Sequence, residues 1–203
     1  VPFIPLGQSL PEGFSRDRVS VATRVRSTII MSSRLMVREF GFFERYEAEL
    51  SPADRLTLDA LVVDWVPVAL LRAHYSALNR LGLPVDTQLE LGQGLSNRMH
   101  KPVFDVALRL AGALGITPWT LAEQAVKMYG RAYDGGALLV QQLGPKDARF
   151  EVLGFPCADV DYCKNAWRGI VLGATEMFAT RAYVHAVPAM SGPNRLSYRV
   201  SWA

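Results

Sequence analysis

The sequence predicts an α+β fold: an N-terminal strand and helical bundle, followed by a β-β-α-β-β unit on an antiparallel sheet. Three observations predict it. Helix starts recur through the middle of the chain, where a capping residue or a proline precedes an apolar-periodic run. At Gly135-Gly136 the apolar period changes from helical to alternating. One helix-length segment then separates two pairs of strand-like runs.

The first element reads as a strand over Thr23–Met31, a partly alternating run rich in β-branched residues. Ser32-Ser33 offers a cap for a helix through Phe40, which Gly41 ends, and a short helix follows over Phe42–Leu50. Ser51-Pro52-Ala53-Asp54 is a strong helix start. The serine oxygen can take an orphan N–H, proline at the first position loses nothing, and the aspartate favours the positive end of the dipole. Trp65-Val66-Pro67 breaks that segment and Pro67 opens the next helix through Leu81, stopped by Gly82 and Pro84. Asp86 starts a helix to about Met99. Lys101-Pro102 restarts the chain into Val103–Leu114, with Gly115 as its terminator. Thr117-Pro118-Trp119 repeats the device of a cap before a proline and starts a helix to about Tyr133. Two strands, Ala137–Leu143 and Ala148–Leu153, are joined by Gly-Pro-Lys-Asp, with Pro145 suited to the first central turn position. A helix over Val160–Ala179 and strands Arg181–Ala189 and Arg195–Trp202 close the chain. In the last strand Leu196, Tyr198, Val200 and Trp202 point inward.

Composition narrows the class. Of 203 residues, half are hydrophobic and a fifth charged, which excludes a disordered tail, a collagen-like fibre and a disulfide scaffold. A chain of this length buries about 70% of its unfolded surface and needs no metal or disulfide staple. The expected organisation is an extended arm over 1–20 and a single α+β domain over 21–203. The arm carries three prolines and no basic leader, unlike a signal peptide. The most apolar segment, Ala60–Leu71, is interrupted by Asp64 and Pro67 and falls short of the ~18 residues of a membrane span. Cys157 and Cys163 lack CxxC spacing, so free thiols in a reducing, cytoplasmic setting are expected.

The net charge of +3 is only weakly basic. Six arginines between Arg16 and Arg38 could bind phosphates, but no nucleic-acid motif accompanies them, and a solvated face is the expected reading. No nucleic-acid partner is therefore expected. His74, His100 and His185 are scattered and form no HExxH-like pair, so no metal site is expected. Asp159 and Asp161 could hold a hard cation, but carboxylates at a helix start also serve its dipole, and that reading is preferred. No GxSxG elbow, P-loop or dinucleotide fingerprint is present, and no nucleophile–base pair can be named. No catalytic residue is therefore assigned, and a non-enzyme is favoured over an enzyme of unidentified class.

The segments Ala132–Gly136, LGPKDARFEVLGFP, NAWRGIVLGATEMF, RAYVHAV and LSYRVSWA, with PVALLRAHYSALNRLGL and GITPWTLAEQ upstream, resemble an uncharacterised bacterial paralogous family of unknown function expanded in myxobacteria. The C-terminal topology is similar to the vinyl-reductase-type and haem-nitric-oxide-binding superfamily of sensory domains. That resemblance implies a ligand-binding α+β module, often dimeric, in signalling or regulatory proteins. Haem-binding members carry Tyr-x-Ser-x-Arg. Here Tyr75-Ser76 lacks the spacing, and Tyr198 and Ser201 are wrongly spaced with no arginine in place. No cofactor is expected.

The 160–179 helix carries the sharpest site expectation. Gly169 and Gly173 lie one turn apart, and interior glycines cost a helix roughly 1 kcal/mol each. Either they permit close packing, within the fold or across a dimer axis, or they leave room for a small apolar ligand between this helix and the sheet. In the second case Cys163, Trp167, Gly169, Ile170 and Gly173 would surround it. Cys163 near the helix start could also be a nucleophile, though a core-facing cysteine is commoner. The leading reading is a cytoplasmic, non-catalytic sensory or regulatory module, homodimeric, that takes such a ligand. The alternative is a structural or protein-interaction module whose sheet or glycine helix makes a dimerisation or assembly contact.

Overall fold

The computed structural model describes residues 3–98 and 118–203. A five-stranded sheet has the order β1-β4-β5-β7-β6, comprising β1 (Phe3–Ile4), β4 (Ala137–Gly144), β5 (Asp147–Leu153), β6 (Ala182–Ala186) and β7 (Arg195–Trp202). It is antiparallel except where β1 runs parallel to β4. Helices α6 (Pro118–Ala132) and α7 (Asp161–Glu176) pack against one face. A smaller sheet pairs β2 (Arg24–Arg26) with β3 (Trp65–Pro67). Around it stand α1 (Ser27–Glu39), α2 (Phe43–Ala48), α3 (Pro52–Asp59), α4 (Val68–Arg80) and α5, described over 85–98. The α+β class and the β-β-α-β-β unit are as the sequence predicts. The expected helix over Val103–Leu114, with Lys101-Pro102 before it and Gly115 after it, lies outside the described residues.

The alternation of β4 divides its side chains between two cores. Leu138 and Val140 join the helices, whereas Ala137 and Leu139 meet Ile4, Leu153, Leu10, Phe14 and Val19 on the opposite face. The 3–19 segment thus covers the back of the sheet. Its close approach is set at two glycines with left-handed φ, Gly136 at 71° and Gly154 at 64°. A Cβ on Gly154 would stand 2.3 Å from the Ser20 carbonyl oxygen, which only glycine avoids.

The strand expected over Thr23–Met31 is corrected: it ends at Arg26, and α1 starts at Ser27, not after Ser32-Ser33. Two forces override the β-branched composition. The partner strand β3 is only three residues long, and the Ser27 hydroxyl donates to the Val62 carbonyl at 2.6 Å while accepting from Asp64 N–H at 3.0 Å. Past that clamp, Ile29, Ile30, Ser33, Met36 and Val37 form one buried helical stripe. The start of α3 follows the expected chemistry, with the Ser51 hydroxyl accepting from Asp54 N–H at 3.1 Å and Pro52 at the first turn. In β7, Leu196, Tyr198 and Val200 are buried as expected, but so is Ser197 on the other face.

Candidate functional site

Helices α6 and α7 do not close fully over the sheet. Between them lies a cavity of about 120 Å³. Met128 and Tyr129 of α6, with Tyr133 just past its end, form one wall, and Trp167, Ile170 and Ala174 of α7 form the other. Leu138 and Phe150 supply the sheet floor, and Ile29, Tyr75 and Leu95 reach it from the helical half. Ala125 and Ala132 open the space. Each sits three residues or so from Met128 and Tyr129 on the same face of α6, so small and large residues alternate along one stripe.

The aromatic lining is mutually packed. Tyr129 stacks on Tyr133 with centroids 4.6 Å apart, and Trp167 meets Phe155 edge-on at 5.7 Å. Burial pushes the Tyr75, Tyr129 and Tyr133 phenols above their usual value, so each stays protonated. Tyr129 Oη and Trp167 Nε1 are buried without a hydrogen-bond partner.

The residues expected around a ligand separate into three groups. Trp167 and Ile170 line the cavity. Gly169 and Gly173 turn instead towards α5. A Cβ on Gly169 would lie 2.1 Å from the Leu89 carbonyl oxygen, and one on Gly173 would lie 3.2 Å from Gln93 Cα. Gly92 of α5 answers them, since its Cβ would stand 2.1 Å from the Ala166 carbonyl oxygen. The glycines bring the two helix backbones together within the fold, so they offer no face to a partner. Cys163 is fully buried away from the cavity lining, and burial beside Cys157 pushes its thiol well up, which disfavours a nucleophilic thiolate. Sequence reasoning missed Met128, Tyr129, Tyr133 and Phe150. The alternation of alanines with bulky residues on α6 was the available signal.

The other motifs have structural partners. Arg16, Arg24 and Arg34 pair with Glu151, Asp134 and Asp59, while Arg26 and Arg38 lie 4.4 and 4.0 Å from the rings of Trp65 and Phe43. Asp159 grips Arg72 at 2.5 and 2.8 Å, and Asp161 pairs with Lys164 one turn on. His74 is a core residue: its Nδ1 meets the Tyr46 hydroxyl at 2.7 Å and its Nε2 meets the Ser33 hydroxyl at 2.9 Å. His185 stands on β6, and His100 lies outside the described residues. Among the described residues no three potential metal ligands cluster, and no helix is long and apolar enough to cross a membrane.

No protein-family model matches the sequence, and no curated protein does. Solved structures do, H-NOX domains among them. A single-site mutant of the T. Tengcongensis H-NOX domain superposes with a TM-score of 0.57 at 14% identity, over 87% of this chain and 97% of that one. An oxygen-binding H-NOX domain related to soluble guanylate cyclases, in its oxygen complex, gives 0.55 at 13% identity, over 87% and 94%. The chain therefore has the H-NOX fold, and at these identities the likeness is one of fold alone.

H-NOX domains have been studied for heme distortion, so the cavity must be tested against that group. Tyr129 and Met128 belong to residue types that ligate haem iron. The space does not fit the macrocycle: about 120 Å³ is below the roughly 150 Å³ that holds one benzene. Nor does any cationic side chain among the described lining face where a haem's acid groups would need one.

Proposed function

We propose that this chain is a non-catalytic sensory or regulatory module that holds a small apolar molecule between α6 and α7. The carrying observation is the cavity itself: a space walled by aromatic and aliphatic side chains inside a protein interior, where voids are ordinarily filled. The H-NOX likeness supports a ligand-holding role at this level of fold. Under this reading residues 21–203 form one domain with 1–20 as its arm, the protein is cytoplasmic, and it belongs to the myxobacterial-type paralogous family that its segments resemble. Of the residues first expected at the site, Trp167 and Ile170 contact the ligand.

Native mass spectrometry of the purified protein tests the reading. A co-purified small molecule, absent from an Ala174→Leu variant that fills the cavity, supports it. A protein that is empty, and whose melting temperature is raised by no hydrocarbon small enough for about 120 Å³, such as propane or cyclopropane, overturns it. One observation favours a second reading, an assembly module. Leu56, Val62 and Val63 are 75, 71 and 71% exposed around the end of α3, an apolar surface suited to a partner or a second copy. The same spectra separate the two readings, since an empty dimer supports assembly through this surface.

A further inference from the structure

One stripe of α1 carries Met31, Arg34, Leu35 and Arg38, at the i, i+3, i+4 and i+7 positions of a helix face. Across from it stand Phe43, the first residue of α2, Leu58 and Asp59 at the end of α3, and Leu61 just past it. The cleft between the two sides measures about 190 Å³ and shares no lining residue with the α6–α7 cavity. Its two arginines are engaged differently. Arg34 donates to the Leu58 carbonyl at 2.6 Å and to Asp59 at 2.5 Å, and Glu47 approaches it at 3.4 Å from outside the lining, so its charge is answered within the fold. Arg38 is exposed and lies over the Phe43 ring, 4.0 Å from the centroid. Among the described residues its guanidinium has no ion pair and no hydrogen bond. A ring face attracts the charge but offers no lone pair, so the N–H donors remain for an oxyanion.

We propose that this cleft is a second binding site, for a small organic monocarboxylate. Its apolar body lies against Met31, Leu35, Leu58 and Leu61, and its carboxylate accepts from Arg38. The size agrees: about 190 Å³ exceeds the roughly 150 Å³ that holds one benzene, and the acid group stands at the open side, where Arg38 meets solvent. The charge agrees as well. A guanidinium fork matches a carboxylate with two parallel hydrogen bonds. A dianion would find only one open cation and would bring its second charge towards Asp59, and an amine would meet Arg38 as a like charge. The site stands independently of the ligand proposed between α6 and α7.

The test uses three probes of matched shape, benzoate, benzamide and benzylamine, titrated into the full chain carrying ¹³C-methyl methionine. Binding is read at the Met31 methyl resonance, assigned with Met31→Leu. Benzoate should move that resonance to saturation and bind about 5-fold or more tightly than either other probe, the worth of a strong exposed ion pair. Arg38→Met keeps the length of the side chain and removes its charge. It should weaken benzoate by the same factor, to the level of benzamide, and added salt should weaken benzoate alone. Benzoate that binds no tighter than benzamide, or that is indifferent to Arg38→Met, overturns the proposal. A preference for benzylamine overturns it too, since Asp59 would then govern the cleft. Shifts confined to the Met128 methyl place the probe between α6 and α7 and also overturn it, as does the absence of any shift at Met31. If Arg38→Met does not fold, the comparison of benzoate with benzamide in the unaltered protein decides alone.

Discussion

The carboxylate of Glu151, fully buried in β5, accepts two hydrogen bonds at 2.7 Å from the Arg16 guanidinium, which reaches it from the segment behind the sheet. Arg149 lies at 3.4 Å from the same carboxylate and is its only other ion-pair partner among the described residues. The pair ties the N-terminal segment to the centre of the sheet, across a separation of 135 residues.

Removing Arg16 leaves that charge buried with a poorer partner. Arg16→Ala should cost towards the lower end of the about 3–5 kcal/mol typical of breaking a buried pair, because Arg149 remains. The double variant Arg16→Met with Glu151→Leu should recover most of the loss, since an apolar pair leaves no charge unmet. Urea melts of the three proteins check this. A double variant no more stable than Arg16→Ala would mean that the loss came from packing, not charge.

The contact between α5 and α7 gives a second test. Alanine improves helix propensity by about 1 kcal/mol over glycine. At Gly169 that gain should be outweighed, because the new Cβ would collide with the Leu89 backbone. A net loss of about 1–3 kcal/mol is expected for Gly169→Ala, and a larger one for Gly173→Leu, which adds a branched chain against Gln93 and Ser96. Thermal melts that show either variant to be more stable would contradict the close approach.

These elements mark how far the residues alone could be read. Local chemistry was legible. Ser51-Pro52 starts a helix wherever it is placed, and the alternation of Leu196, Tyr198 and Val200 declares a strand before its neighbours are known. The two glycines of α7 were legible as a demand for something close, but not as to what, because Leu89 and Gly92 are about 80 positions away. Short strands failed for the same reason. β1 and β3 exist through the strands they pair with and carry too few residues for a pattern. The cavity was half-legible: Trp167 and Ile170 sit on the helix that drew attention, whereas the α6 wall is an ordinary amphipathic stripe until it faces α7.

His74 sets a pH dependence. Desolvation, aided by the Arg34 charge, pushes its pKa down to about 3, so the native imidazole stays neutral where the unfolded one takes its proton near 6.5. Between those values the unfolded chain binds the extra proton, and stability should fall with falling pH by up to about 1.4 kcal/mol per unit. Asp134 and Asp159 are held below their usual value by Arg24 and Arg72, so they add a further loss only when pH drops past about 4. Denaturant melts between pH 7 and 4.5 should therefore show a slope that His74→Gln flattens. An unchanged slope would assign the dependence elsewhere.

The end of the chain provides the last prediction. β7 lies between β5 and β6 and pairs with both along its length, from Arg195 opposite Leu153 to Trp202 opposite Ala182. Its inward face buries Leu196, Tyr198 and Val200, and the Tyr198 hydroxyl donates to the Lys164 carbonyl in α7 at 2.7 Å. Without it, β5 loses one neighbour, β6 loses its only strand partner among the described residues, and α7 loses part of the surface beneath it. Deleting residues 196–203 should thus abolish cooperative unfolding rather than trim a tail, since each large buried side chain alone contributes about 1.5–3 kcal/mol against a total stability of about 5–15 kcal/mol. Tyr198→Phe keeps the burial and removes only the hydrogen bond, so it should cost no more than about 1.5 kcal/mol and still unfold cooperatively. Circular dichroism melts of the two variants compare the strand with its single polar contact. A truncated protein that melts at the wild-type temperature would show that the helices and the remaining strands hold the fold without β7.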